Sequence, residues 1–226
     1  MAPELLIFDL DGTLVDSFRA IHASLVHAMT TLGYEPWDFA RTRRRVGWGL
    51  EHLMREAMGE ANVTTGIRYF REQYPQVCLP LTEILPTVET TLSRLRSRGY
   101  TMAVATNKPS TFSRQILAHL EIEHYFQSVL GPNDVPRPKP HPDMLESIME
   151  RAGKGPEHCL YIGDMPLDVE TAKAAEVPVL LVATGSYSYE ELKASGVPVI
   201  ERLDAILTFL DQCLHSAKQP FKEDDR

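Results

Sequence analysis

Long apolar runs are missing from this sequence. No stretch approaches the roughly 18 uninterrupted apolar residues of a membrane span, so no membrane partner is expected. Cysteine is scarce. Cys78, Cys159 and Cys213 are an odd, scattered set without C-x-x-C spacing, which argues against a disulfide framework or a zinc site. The opening MAPELLIFDLDG has no basic segment ahead of an apolar one, so no signal peptide is expected and a cytoplasmic protein is the default. Positive charge is short as well: 23 Lys and Arg face 31 Asp and Glu, a net charge of −8. That balance excludes general nucleic-acid binding but leaves room for a local basic pocket, which an anionic substrate would need. Between residues 17 and 81 there is no lysine at all.

What is present is an ordinary globular composition, 43% hydrophobic and 24% charged, in a chain long enough for a core domain with a smaller insert. Leu5 to Phe8 is a short apolar run ending near Asp-Gly, the pattern of a buried strand followed by a turn. Helical periodicity then takes over. Phe18, Ile21, Leu25, Ala28 and Leu32 recur at three- and four-residue steps, as do Leu50, Leu53, Met54, Ala57 and Met58, and then Ile67, Phe70 and Tyr74 up to Pro75. Residues 17–81 are therefore expected to be all helical.

Beyond about residue 84 helices and strands alternate. Strands are expected at Met102 to Ala105, Ser128 to Leu130, Cys159 to Ile162 and Val179 to Val182, with helical stripes between them and a last helix over 203–214. Such alternation predicts an α/β fold: a three-layer Rossmann-like core with a parallel sheet between helices, plus an inserted all-helical domain. The expected division is a core of 1–16 and 82–215, a helical insert of 17–81 and a loose tail of 216–226.

In open α/β sheets ligands bind beyond the carboxyl ends of the strands, and polar residues collect there. Asp9 and Asp11 follow the first strand. Thr106, Asn107 and Lys108 follow the second, and Lys139 lies between prolines near the loop after the third. Asp164 follows the fourth, with Asp168 one helical turn on. Taken singly these have ordinary structural readings, as turns, helix caps and loop lysines. Four such coincidences at successive strand ends are not what chance supplies. Carboxylates packed this closely repel one another unless cations intervene, and oxygen ligands without His or Cys favour Mg²⁺ over zinc.

The motifs DLDGTLVDS (9–17), ATNKP (105–109), RPKPHPD (137–143) and GDMPLDVETAKAA (163–175), in that order, resemble those of the haloacid dehalogenase superfamily. The resemblance implies that Asp9 is a nucleophile, Asp11 a general acid/base and metal ligand through its carbonyl, and Thr106 and Asn107 phosphate-binding. It also implies that Lys139 neutralises the phosphate and nucleophile, Asp9 and Asp164 ligate Mg²⁺, and Asp168 supports the site. An aspartate at position 11 points to phosphoryl chemistry over C–halogen cleavage.

By the same resemblance, residues 17–81 match a helical cap. ATNKP and the overall length look most like phosphoglycolate phosphatases, acting on a small phosphorylated metabolite. A β-phosphoglucomutase-like phosphotransferase, a pyrophosphatase and a non-catalytic binding protein stay open as alternatives. A phosphonatase would need a cap lysine, which is lacking. The basic run RTRRRVGWGL (41–50) reads first as a solvated helix face, and second as a place where Arg43, Arg44 or Arg45 pairs with a substrate carboxylate. Two turn positions depart from the family pattern: Thr87 follows Pro86 where a glycine is common, and Glu176 replaces another glycine. A monomer or homodimer is expected.

Overall fold

A computed structural model describes residues 3–217. Among the described residues there are eight strands: β1 (Leu5–Phe8), β2 (Val15–Asp16), β3 (Glu83–Ile84), β4 (Thr101–Ala105), β5 (Ser128–Leu130), β6 (Cys159–Gly163), β7 (Val179–Val182) and β8 (Val199–Ile200). Six of them form one parallel sheet in the order β5-β4-β1-β6-β7-β8. Chain order runs outward from β1 to β4 and β5, then returns to β6 on the other side. The crevice of such a sheet opens where that reversal occurs, at the carboxyl end of β1.

The helices are α1 (Phe18–Thr31), α2 (Phe39–Arg43), α3 (Leu50–Met58), α4 (Val63–Val77), α5 (Val88–Ser97), α6 (Ser110–His119), α7 (Asp143–Ala152), α8 (Pro166–Ala174), α9 (Tyr189–Lys193) and α10 (Ile206–Ala217). The sheet is buried on both faces, and the two-residue period of its strands divides the core. Leu6, Phe8, Met102 and Val104 pack with α5, α6 and α10. Leu5, Ile7, Ala103 and Ala105 pack with α7 and α8 on the opposite face.

Helices α1, α3 and α4 build a separate apolar cluster around Phe18, Ile21, Leu25, Met54, Phe70 and Tyr74, residues that fall on the helical stripes of the sequence. The chain enters this cap through β2 and leaves it through β3. The two pair antiparallel, Val15 with Ile84 and Asp16 with Glu83, so entry and exit are stapled beside the first motif. Neither strand was expected, because two residues carry no readable period. Helix α4 continues through Pro75 to Val77, where the sequence suggested a stop. β8 and α9 were not anticipated either, and the last helix runs from 206, after a short 3₁₀ turn at Leu203–Ala205. Beyond Ala217, the expected tail lies outside the described residues. No helix among the described residues is long and apolar enough to cross a membrane.

Candidate active site

Register brings the motif residues to one level. Phe8 is paired with Val104 on one side and Ile162 on the other, so the chain positions just past those strands emerge together. Asp9, Thr106 and Asp164 occupy them, all buried. Their neighbours complete two linked clusters, one around each aspartate of the DLD segment.

The first is centred on Lys139. Its ammonium lies 2.8 Å from Asp9 Oδ2 and 2.8 Å from Asp168 Oδ1, and it donates to the Tyr161 hydroxyl at 3.0 Å. Asp9 Oδ1 accepts the backbone N–H of Leu10 at 2.7 Å. Asp168 is fully engaged. Its Oδ1 accepts from Lys139 and Tyr161, and its Oδ2 from the backbone N–H groups of Asp164 and Met165. That second pair is also how Asp168 caps the start of α8, which explains an acidic residue in this helical turn.

Asp164 is different. It is buried, accepts a hydrogen bond from the Thr13 hydroxyl at 3.0 Å, and has no ion-pair partner among the described residues. Burial, reinforced by Asp168 and Asp9, pushes its carboxyl well above the usual range. Burial likewise raises Asp9 to about 6, against the pull of Lys139. Burial alone would lower Lys139, but Asp168 and Asp9 hold it above its ordinary value. Oxygens of Asp9, Asp164 and Asp168 come within 4.8 Å of one another. With Asp168 occupied by four donors, Asp9 and Asp164 are the carboxylates left for a cation. A buried, under-compensated, all-oxygen set fits a hard divalent ion.

The second cluster holds Asp11. Its Oδ1 accepts from the Ser17 hydroxyl at 2.5 Å, and its Oδ2 lies 2.9 Å from the Lys108 ammonium. Lys108 is only 7% exposed and also donates to the Tyr74 hydroxyl of the cap at 2.7 Å. From its place in the sequence Lys108 was legible as a member of the strand-end cluster. Its attachment to Asp11 was not, because the two follow different strands, β4 and β1, far apart in the chain.

Thr106 Oγ1 accepts the backbone N–H of Lys108 at 3.2 Å, which leaves its own proton to donate. The Asn107 side chain is engaged by backbone groups of two loops. Its amide accepts from the Lys139 backbone N–H and donates to the Lys139 carbonyl and to the Gly47 carbonyl of the cap. It thus holds the Lys139 loop and the cap loop together.

Arg44 and Arg45 keep exposed side chains, as a solvated face would, but Arg43 and Arg44 also reach backbone carbonyls of the core. Arg43 donates to the carbonyls of Thr184 and Gly185, and Arg44 to the Ser186 carbonyl. Arg44 also pairs with Glu191 at 2.7 Å, and the Ser186 hydroxyl donates to the Arg43 carbonyl. Arg45 stays on the cap, 3.4 Å from Glu56, as does Arg41, which lies over the Trp37 ring. The basic run is a latch closing the cap onto the loop after β7. Sequence could not reveal this, since the partners lie some 140 residues away. Between cap and core remains a cleft bounded by Asp9, Asp11, Thr106, Lys108 and Phe112 of the core and by Ile21, Leu50, Leu53 and Phe70 of the cap.

The profile of the haloacid dehalogenase-like hydrolase family matches residues 6–182, and the chain belongs to that family. It is an enzyme of the phosphatase type. It is 34% identical over 221 residues to phosphoglycolate phosphatase 1 of Pseudomonas aeruginosa, covering 93% of this chain and 80% of that one. To the phosphoglycolate phosphatase of Rhodobacter capsulatus it is 37% identical over 191 residues, covering 82% and 86%. A crystal structure from Haemophilus somnus 129pt, described as a predicted phosphoglycolate phosphatase, superposes with a TM-score of 0.85 at 27% identity, covering 92% of this chain and 97% of that one.

Proposed function

We propose that the protein hydrolyses a small phosphorylated metabolite by way of an aspartyl-phosphate on Asp9, with phosphoglycolate the first substrate to try. The observation that carries this reading is the ion pair of Asp9 with Lys139, 2.8 Å apart in a buried pocket that also holds Asp164. A carboxylate at a strand end, oriented by the Leu10 amide and flanked by a fixed cation, is placed to attack phosphorus while the ammonium offsets charge on the transferring oxygens.

Thr106 donates its hydroxyl to the phosphoryl group. With the Asn107 side chain spent on the Lys139 loop, its backbone N–H is the group of that residue that would face the phosphate. Asp11 gives a proton to the leaving oxygen and then takes one from water. Asp9, Asp164 and the Asp11 carbonyl would hold Mg²⁺, which when bound supplies charge neutralisation for the phosphoryl group. Asp168 keeps Lys139 aimed at Asp9. Residues 17–81 act as the lid, closed through Arg43 and Arg44, and exclude stray water. The relatives named phosphoglycolate phosphatase support the choice of first substrate.

The test is phosphate release from phosphoglycolate, pyrophosphate, β-glucose 1-phosphate and common sugar phosphates, with Mg²⁺ or EDTA, by the wild type and Asp9→Asn. Metal-dependent release that vanishes in the variant is expected. Release that survives the substitution rejects Asp9 as nucleophile, and conversion of β-glucose 1-phosphate without phosphate release would make the enzyme a mutase.

A further inference from the structure

Each aspartate of the DLD segment has its own buried lysine. Lys139 serves Asp9, and the charge of the phosphoryl group accounts for it. Lys108 serves Asp11, and nothing in the proposed chemistry so far requires it. A buried ammonium is costly unless it is paired and hydrogen-bonded, so its surroundings should show what it is for.

Those surroundings come from three parts of the chain. Lys108 follows β4 in the core. Ser17, which donates to the other oxygen of Asp11, is the residue just before α1, at the entrance to the cap. Tyr74 belongs to α4 of the cap and is held rigidly, stacked on Phe70 at 5.2 Å between ring centroids and met edge-on by Phe112 at 5.1 Å. Its hydroxyl is thus a fixed point to which the flexible lysine stem is tied, 2.7 Å away. Burial would lower the pKa of the Lys108 ammonium, but Asp11 and Tyr74 hold it above its ordinary range, in keeping with these two contacts.

We propose that Lys108 is a positioning residue for Asp11, and that Tyr74, by fixing Lys108, makes the seating of the cap and the aim of the acid/base carboxylate a single hydrogen-bonded unit. The inference rests on the assignment of Asp11 as acid/base. An ammonium has three donors. One goes to Asp11 and one to Tyr74, and neither bond needs substrate to be present. The chain Tyr74–Lys108–Asp11–Ser17 therefore begins and ends in cap-proximal elements and has the acid/base group in its middle. A cap displaced from the core loses the Tyr74 end of this chain and with it the constraint on Lys108. Proton transfer then becomes efficient only over a seated cap, when water is excluded from the aspartyl-phosphate.

The experiment is kcat and KM on the best ester found above, with saturating Mg²⁺, for wild type, Lys108→Met, Lys108→Arg, Tyr74→Phe and the Tyr74→Phe/Lys108→Met pair, each checked for native circular dichroism. Lys108→Met is expected to lower kcat about 100-fold, the low end of acid/base catalysis, with KM changed by less than about threefold. Lys108→Arg should recover part of that loss. Tyr74→Phe should lower kcat about 3- to 10-fold, and the double variant should be no slower than Lys108→Met alone, since both act through one contact.

A kcat unchanged in Lys108→Met overturns the proposal. So does a raised KM at unchanged kcat, which would make Lys108 a substrate contact, and so do losses that multiply in the double variant. Should Lys108→Met not fold, Tyr74→Phe decides alone, an unchanged kcat refuting the coupling. A wild type inactive on every ester overturns the proposed function and this inference with it. An active wild type matched by Lys108→Met overturns only the inference.

Discussion

Asp168 and Lys139 are joined at 2.8 Å in a setting where the carboxylate has no spare oxygen. Lys139 and Tyr161 donate to one oxygen, and two backbone N–H groups donate to the other. An amide in the place of this carboxylate must turn its NH₂ toward donors on whichever side it lies. Asp168→Asn should therefore cost about 3 kcal/mol of stability, the usual effect of breaking a buried ion pair from one side. It should also lower kcat by at least about tenfold, because Lys139 loses half of what aims it at Asp9. Tyr161→Phe removes one neutral donor and should cost about 1 kcal/mol. Urea denaturation and steady-state kinetics of the two variants check the ranking, and an Asp168→Asn protein as stable as wild type would contradict it.

Asp164 and Asp9 are buried carboxylates whose folded-state pKa values lie above the ordinary 3.8, Asp9 at about 6. Between those values the folded chain keeps protons that the unfolded chain has lost. Stability of the metal-free protein must then fall as pH rises through about 4 to 6, by on the order of 3 kcal/mol for Asp9 alone. Mg²⁺ should reverse the loss at pH 7.5 by binding only the folded site. Asp164→Asn in EDTA should be more stable than wild type at that pH, with its response to Mg²⁺ strongly reduced. Thermal unfolding at pH 5 and 7.5, with EDTA and with Mg²⁺, measures all of this. Metal-free stability that rose with pH would refute the account.

Gly185 lies against Asp164 so closely that a methyl group there would overlap the carboxylate. The loop is held by Thr184, whose hydroxyl donates to the Gly12 carbonyl at 2.7 Å, and by the latch from Arg43 at 2.7 Å, so it has little room to retreat. Gly185→Ala is expected to displace Asp164 and weaken Mg²⁺ activation by about tenfold, with a smaller loss in kcat at saturating metal. A titration of activity with Mg²⁺ separates the two, and an unchanged half-saturation point would show that the loop yields instead.

How much of this was readable beforehand depended on how local each feature is. The strands of the main sheet other than β8 announce themselves as apolar runs, and the residues after β1, β4 and β6 carry the chemistry because sheet register brings those ends together. The cap helices were legible from Phe18, Ile21 and Leu25, and from Phe70 and Tyr74, as apolar stripes. What escaped is non-local. The destinations of Arg43 and Arg44 depend on a loop after β7. The Asn107 amide turns to the Lys139 backbone, and the Tyr74 hydroxyl meets Lys108 across the cap boundary. The staple of Val15 with Ile84 is too short to leave a pattern.

Glu176 follows α8 with φ 57°, in the left-handed region, where the family pattern led one to expect glycine. A side chain in this region costs about 1 kcal/mol or more, and glycine removes the strain at the expense of extra freedom in the unfolded chain. The Glu176 side chain is exposed and makes no ion pair among those described, so little else is lost on removing it. Glu176→Gly should therefore stabilise the protein by about 0.5–1 kcal/mol, with kcat unchanged, since α8 carries Asp168 at its other end. Glu176→Ala, which relieves nothing of the strain and only shortens the side chain, should leave stability within about 0.5 kcal/mol of wild type. Urea unfolding of the pair distinguishes backbone strain from side-chain effects: equal gains in both variants would mean that the glutamate side chain, and not φ, was the source.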